Sequence, residues 1–106
     1  MKRYASIFRI RPDMAAEYKK AHDEIWPEMA DAIRESGIRN YSIFFRADGT
    51  LFSYFECEDA SAAFAFMRAQ EVNGRWQRAM ERFFVKEDRA ILGPEVEDIG
   101  EVFHLD

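Results

Sequence analysis

Apolar and polar positions alternate along residues 2–11, with Tyr4, Ser6, Phe8 and Ile10 on one side and Ala5, Ile7 and Arg9 on the other. A period of two is the signature of a β-strand. Pro12 and Asp13 stop that strand and can open a helix, because proline is tolerated in a first helical turn. The spacing then changes to a helical one through Ala15, Tyr18, His22 and Ile25. Pro27 must break or kink that helix, since it lacks a backbone donor and clashes one turn back. The helical pattern resumes at Met29 and Ile33 and ends near Gly37.

Two further strands are expected over residues 39–46 and 50–58. Asp48-Gly49 between them signals a tight hairpin turn, which needs positive φ. Asp59 or Ser61 can cap a helix running from residue 60 to about residue 68. Asn73-Gly74 is a point of possible interruption before a second helical piece that reaches about Phe84. Residues 85–98, with Gly93-Pro94, read as irregular, and residues 100–105 as a last strand. The order βαββαβ is that of a ferredoxin-like α+β domain, with helices on one face of an antiparallel sheet. Both sides of the second and third strands carry aromatics: Tyr41, Ile43 and Phe45 against Phe44, and Leu51, Phe55 and Cys57 against Phe52 and Tyr54. The helix-free face therefore needs cover, and a second copy of the chain is the simplest candidate, giving a homodimer.

Length and composition sharpen this picture. The 106 residues fit one domain, covering residues 1–106, and a short chain needs every core residue it has. Aromatics make up 15% of the chain, more than a single small core requires, so an interface or a ligand cleft is expected. The net charge of −5 argues against nucleic acid, whose binding depends on neutralising phosphates. Arg75, Arg78 and Arg82 share a helical face, but Glu71 and Glu81 lie among them, so this reads as a solvated surface. No apolar run approaches the ~20 residues of a membrane span, and the N-terminus has no signal-like stretch. Cys57 is the sole cysteine and reads as a buried structural thiol. The cytoplasm is the expected location, with no membrane partner.

No phosphate loop, CxxC pair, HExxH or GxSxG sequence is present, and two distant histidines make a His-rich metal site improbable on spacing alone. His22 is the candidate for chemistry. It shares a helical face with Tyr18 and, if the helix persists, with Trp26 at successive spacings of four. Imidazole exchanges protons near neutral pH, which general acid–base catalysis requires. Core packing of Tyr18 and Trp26, with His22 at the helix edge, is the competing reading. His104 reads as structural or edge-exposed. Trp76 leads a face with Met80, Phe83 and Phe84 that fits a core, while its indole would also suit the C–H face of a sugar. The Tyr41 hydroxyl is expected to reach over the open sheet face.

The segments Tyr18-Lys-Lys-Ala-His22, Ile25-Trp-Pro-Glu28, Asn40-Tyr-Ser-Ile43, Arg75-Trp76 followed by Met80, and the ending Glu101-Val-Phe-His-Leu-Asp106 together resemble the L-rhamnose mutarotases. The resemblance runs from the first strand to the C-terminus. It implies a dimeric α+β barrel of ferredoxin-like subunits that interconverts the anomers of L-rhamnose or a related 6-deoxy sugar. It further implies His22 as proton donor to the ring oxygen, Tyr18 and Tyr41 as sugar contacts, and neither metal nor organic cofactor. Trp76 matches the first of a substrate-binding Trp-Trp pair. The second position here is Gln77, which can hydrogen-bond a hydroxyl but cannot stack, and this bears on the fit to rhamnose. Two rivals share the architecture: a cofactor-free monooxygenase of aromatic or quinone substrates, and a non-catalytic small-ligand-binding dimer.

Overall fold

The structure is a computed structural model that describes residues 1–84 and 96–106. Strand β1 (Lys2–Arg9) leads through a single 3-10 turn at Pro12–Met14 into α1 (Ala15–Asp23). Helix α2 (Pro27–Glu35) follows, with Pro27 in its first turn. The proline therefore ends one helix and starts another, as its geometry dictates. Gly37 leaves α2 at φ +97°, a conformation that favours glycine. Strands β2 (Arg39–Phe45) and β3 (Thr50–Cys57) form a hairpin, and α3 (Ala60–Arg68) starts where the Asp59 carboxylate accepts from Ala62 N at 3.1 Å.

Helix α4 (Glu71–Met80) runs straight through Asn73-Gly74. The burial of Trp76 and Met80 outweighs the roughly 1 kcal/mol that an interior glycine costs a helix. A 3-10 turn at Glu81–Phe83 then delivers Phe83 and Phe84 to the core. The last strand, β4, spans Glu97–Ile99 rather than residues 100–105. Residues 100–106 are exposed coil, and Val102, Phe103 and Leu105 have no cover. His104 is therefore not a strand residue; its ring nitrogen sits 3.0 Å from the Asp106 carboxylate.

The sheet is antiparallel in the order β2-β3-β1-β4, which is the ferredoxin-like order. Ser6, Phe8, Ile10, Leu51, Ser53 and Cys57 face the helices and are buried. Ile7, Phe44, Phe52 and Ile99 lie on the other face, where Phe44 is 63% and Phe52 37% exposed. Two contacts lock the segment after α4 to this frame, Ile10 bridging Phe84 and Arg11 N donating to Phe83 O at 2.8 Å, while Ile10 N donates to Gly49 O at 2.9 Å and ties β1 to the β2–β3 turn. Phe83 and Phe84 then meet the Tyr18 ring edge-on, which fixes α1 over the sheet. Cys57 is 1% exposed, and burial pushes its thiol pKa up. Among the described residues no helix is long and apolar enough to cross a membrane.

Candidate active site

A cleft of about 1110 Å³ opens between the helices and the helix-bearing face of the sheet. That is at the upper end of the ~300–1,000 Å³ of small-molecule sites. All five site residues expected from the sequence line it: His22 and Tyr18 from α1, Tyr41 from β2, Trp76 and Gln77 from α4. Its placement corrects one expectation. Tyr41 does not reach over the helix-free face; its ring meets Phe55 edge-on at 6.2 Å, and Phe55 packs against Phe64 of α3. The two-residue alternation of β2 puts Tyr41 on the same side as Ile43, which pairs with the helix-facing Ser53. The helices leave this edge of the sheet uncovered, and the cleft forms there.

His22 is partly buried on the last turn of α1. Its Nδ1 lies 2.9 Å from the backbone oxygen of Tyr18. A carbonyl only accepts, so Nδ1 carries the proton and Nε2 carries the lone pair in the neutral ring. Nε2 has no hydrogen-bond partner among the described residues. The Trp76 indole stands edge-to-face against the imidazole at 5.5 Å, and Tyr18 lies against it at 4.3 Å. Burial lowers the His22 pKa from its ordinary value, outweighing the Tyr18 carbonyl and Asp23, which both raise it. Burial thus favours the neutral imidazole, and its Nε2 carries the free lone pair.

Tyr18 is 7% exposed, and burial pushes its phenol pKa well up, with a smaller push from the nearby Tyr41. It stays protonated and offers a hydroxyl, not a phenolate. Trp76 is 6% exposed and belongs to the main core, and it also lines the cleft. Its indole also braces Trp26 at 5.1 Å, and Arg75 sits over the outer face of Trp26. Trp26 lies beyond the end of α1 at Asp23, and meets Trp76 from the N-cap position of α2. Arg75 pairs with Glu71 and Glu28, in keeping with a charge-mixed surface. Gln77 Nε2 donates to Asn73 Oδ1 at 3.3 Å, one turn away on the same helix.

Sequence reasoning passed over three uncharged polar cleft residues, Asn73, Ser6 and Ser53, and the charged Lys19, Asp23 and Arg68. The serines were detectable as hydroxyls interrupting the apolar, helix-facing halves of β1 and β3. Among the described residues no group of three His, Cys, Asp or Glu side chains is placed to hold a metal ion.

Fold and cleft together define a ferredoxin-like α+β domain whose cleft holds one imidazole among aromatic and hydroxyl groups. Over residues 3–105 the chain matches the family of L-rhamnose mutarotases, and it belongs to that family. It is 41% identical over 107 residues to the L-rhamnose mutarotase of Bacillus subtilis, covering 100% of both chains. Against that of Listeria monocytogenes it is 39% identical over 106 residues, covering 99% of both. The crystal structure of an L-rhamnose mutarotase from Formosa agariphila has the same fold, with a TM-score of 0.84 over 100% of both chains at 24% identity.

Proposed function

We propose that this protein is an isomerase that interconverts the α and β anomers of L-rhamnose or a closely related 6-deoxy sugar. Family membership supports the reaction, and the open Nε2 of His22 in the cleft is the observation that carries the mechanism.

Mutarotation must take a proton from the anomeric hydroxyl and give one to the ring oxygen. Both oxygens are bonded to the anomeric carbon, so one imidazole nitrogen can serve both. Nε2 of neutral His22 takes the anomeric proton as the bond to the ring oxygen breaks and the aldehyde forms. The imidazolium then donates that proton to the ring oxygen, which is the donor role implied by the family resemblance. Rotation about the bond from C1 to C2 presents the other aldehyde face, and the steps reverse. No net proton enters or leaves, so no cofactor is required. Tyr18 and Tyr41 orient sugar hydroxyls, Trp76 holds the apolar ring face and the His22 ring, and Gln77 contributes a hydrogen bond at the cleft rim. General acid–base assistance of this kind gives about 10²–10⁴-fold.

The working unit in this proposal is a homodimer in the cytoplasm, joined through the helix-free face. Exposed Phe44, Phe52 and Ile99 on that face support the pairing, and a lone buried thiol suits a reducing compartment.

Exchange NMR on equilibrated L-rhamnose tests the reading. Wild-type protein is expected to speed exchange between the two anomeric protons, and His22→Ala to lose most of that rate while keeping its fold. Absence of acceleration on L-rhamnose and on L-fucose would sink the proposal.

A further inference from the structure

Strands β1 and β3 each place one serine on the helix-facing side, and the register sets Ser6 directly opposite Ser53. Their hydroxyls are hydrogen-bonded to each other. Both are buried, at 8% and 6% exposure, and both line the cleft. The same-face neighbours along the strands are Tyr4, Phe8, Leu51 and Phe55, so this is a polar point among large aromatic and aliphatic side chains.

Buried hydroxyls normally find partners for their protons. The pair holds two protons, and the mutual bond uses only one. The accepting hydroxyl keeps its own proton, and neither serine has a second side-chain partner among the described residues. Spare lone pairs remain on both oxygens. The pair can therefore donate to one ligand oxygen and accept from it at once. A spare proton beside spare lone pairs best matches a group that both accepts and donates, which a sugar hydroxyl does and an ionised phosphate or carboxylate oxygen does not.

We propose that Ser6 and Ser53 form a substrate-hydroxyl anchor on the cleft floor. It holds one ring hydroxyl of the sugar and so fixes which edge of the ring meets His22. The inference rests on the sugar-isomerase reading given above and adds two contacts to it.

The test combines Ser6→Ala, Ser53→Ala and the double variant with L-rhamnose and its 2-, 3- and 4-deoxy forms. Anomer exchange is followed by NMR. A site built around a hydroxyl discriminates against the analogue that lacks it. Wild type is expected to lose about 3- to 10-fold in kcat/KM on one of the three deoxy sugars, the scale of one neutral hydrogen bond. The double variant should lose a similar factor on L-rhamnose and show no further loss on that deoxy sugar, while the other two still fall in parallel with the parent. The single variants should lie between wild type and double variant, which guards against a folding defect in the latter.

Full kcat/KM on L-rhamnose in the double variant overturns the anchor. So does an equal loss on all four sugars. If wild type accelerates none of them, the isomerase reading has failed, and the anchor is judged by saturation-transfer binding of the same sugars. There the same selective pattern supports it, and its absence, or the absence of binding, overturns it.

Discussion

The imidazole of His22 donates from Nδ1 to the backbone oxygen of Tyr18, 2.9 Å away and one helical turn back. The partner is a main-chain atom, so the acceptor is supplied by the helix itself, while the Tyr18 and Trp76 rings pack against the imidazole. That choice holds one tautomer and leaves Nε2 for the substrate.

A pH dependence with a definite sign follows from this. The reacting form is neutral imidazole, and burial lowers the pKa of His22. Protein-catalysed exchange, after subtraction of the spontaneous rate, should be level through neutral pH. It should fall as pH drops through a midpoint below the ordinary histidine value of about 6.5. A profile that falls on the alkaline side with that midpoint would mean that the resting form is the imidazolium.

Trp76 braces both His22 and Trp26 while nearly fully buried. Trp76→Ala should cost about 3–5 kcal/mol, the range of large aromatic truncations, measured by urea denaturation. Trp76→Phe keeps an aromatic edge against the imidazole at a smaller cost. It should lower kcat by about tenfold, because small misplacements of a catalytic group are expensive. An unchanged kcat in the folded Phe variant would remove the bracing role.

Phe44 and Phe52 pair across β2 and β3 on the helix-free face. Phe52 does not line the cleft, so Phe52→Asp probes association alone. Wild type is expected to sediment as a pair of 12.5 kDa chains and the variant as a single chain. A monomeric wild type at micromolar concentration would refute the proposed dimer.

Gly49 is at φ +95°, and a Cβ there would sit 2.4 Å from the backbone oxygen of Ile10. The crowded atom is main chain and cannot swing aside. Gly49→Ala should therefore destabilise the fold by roughly 1–3 kcal/mol, the scale of local backbone strain. Gly37→Ala meets the same positive φ with open space around it and should cost less. Chemical denaturation of the two variants side by side separates crowding from conformation.

Much of this arrangement is legible in the sequence. The change of period from two to 3.6, the Pro27 break and the Asp48-Gly49 turn place every helix and the first three strands, because each is a local signal. His22, Tyr18, Tyr41, Trp76 and Gln77, which the family resemblance groups together, all line one cleft. What the sequence does not carry is which side of the sheet stays open for a ligand. That depends on how far four helices extend over β2, a matter of packing between distant segments, and it misplaced Tyr41. The continuity of α4 through Gly74 is missed because the burial of Trp76 and Met80 overrides local propensity, whereas residues 100–105 are exposed and lie past the short pairing of β4 with β1. The expectation that residues 85–98 are irregular falls largely on residues 85–95, outside the described residues.

Cys57 gives the protein a built-in reporter. Its sulfur is sealed at the end of β3, opposite Lys2 on β1, and the chain has no other thiol to confuse the signal. A colourimetric disulfide reagent can reach it only when that end of the sheet separates. The labelling rate of the unmodified protein therefore clocks the opening of its two central strands, and a sugar that holds those strands together should slow the clock.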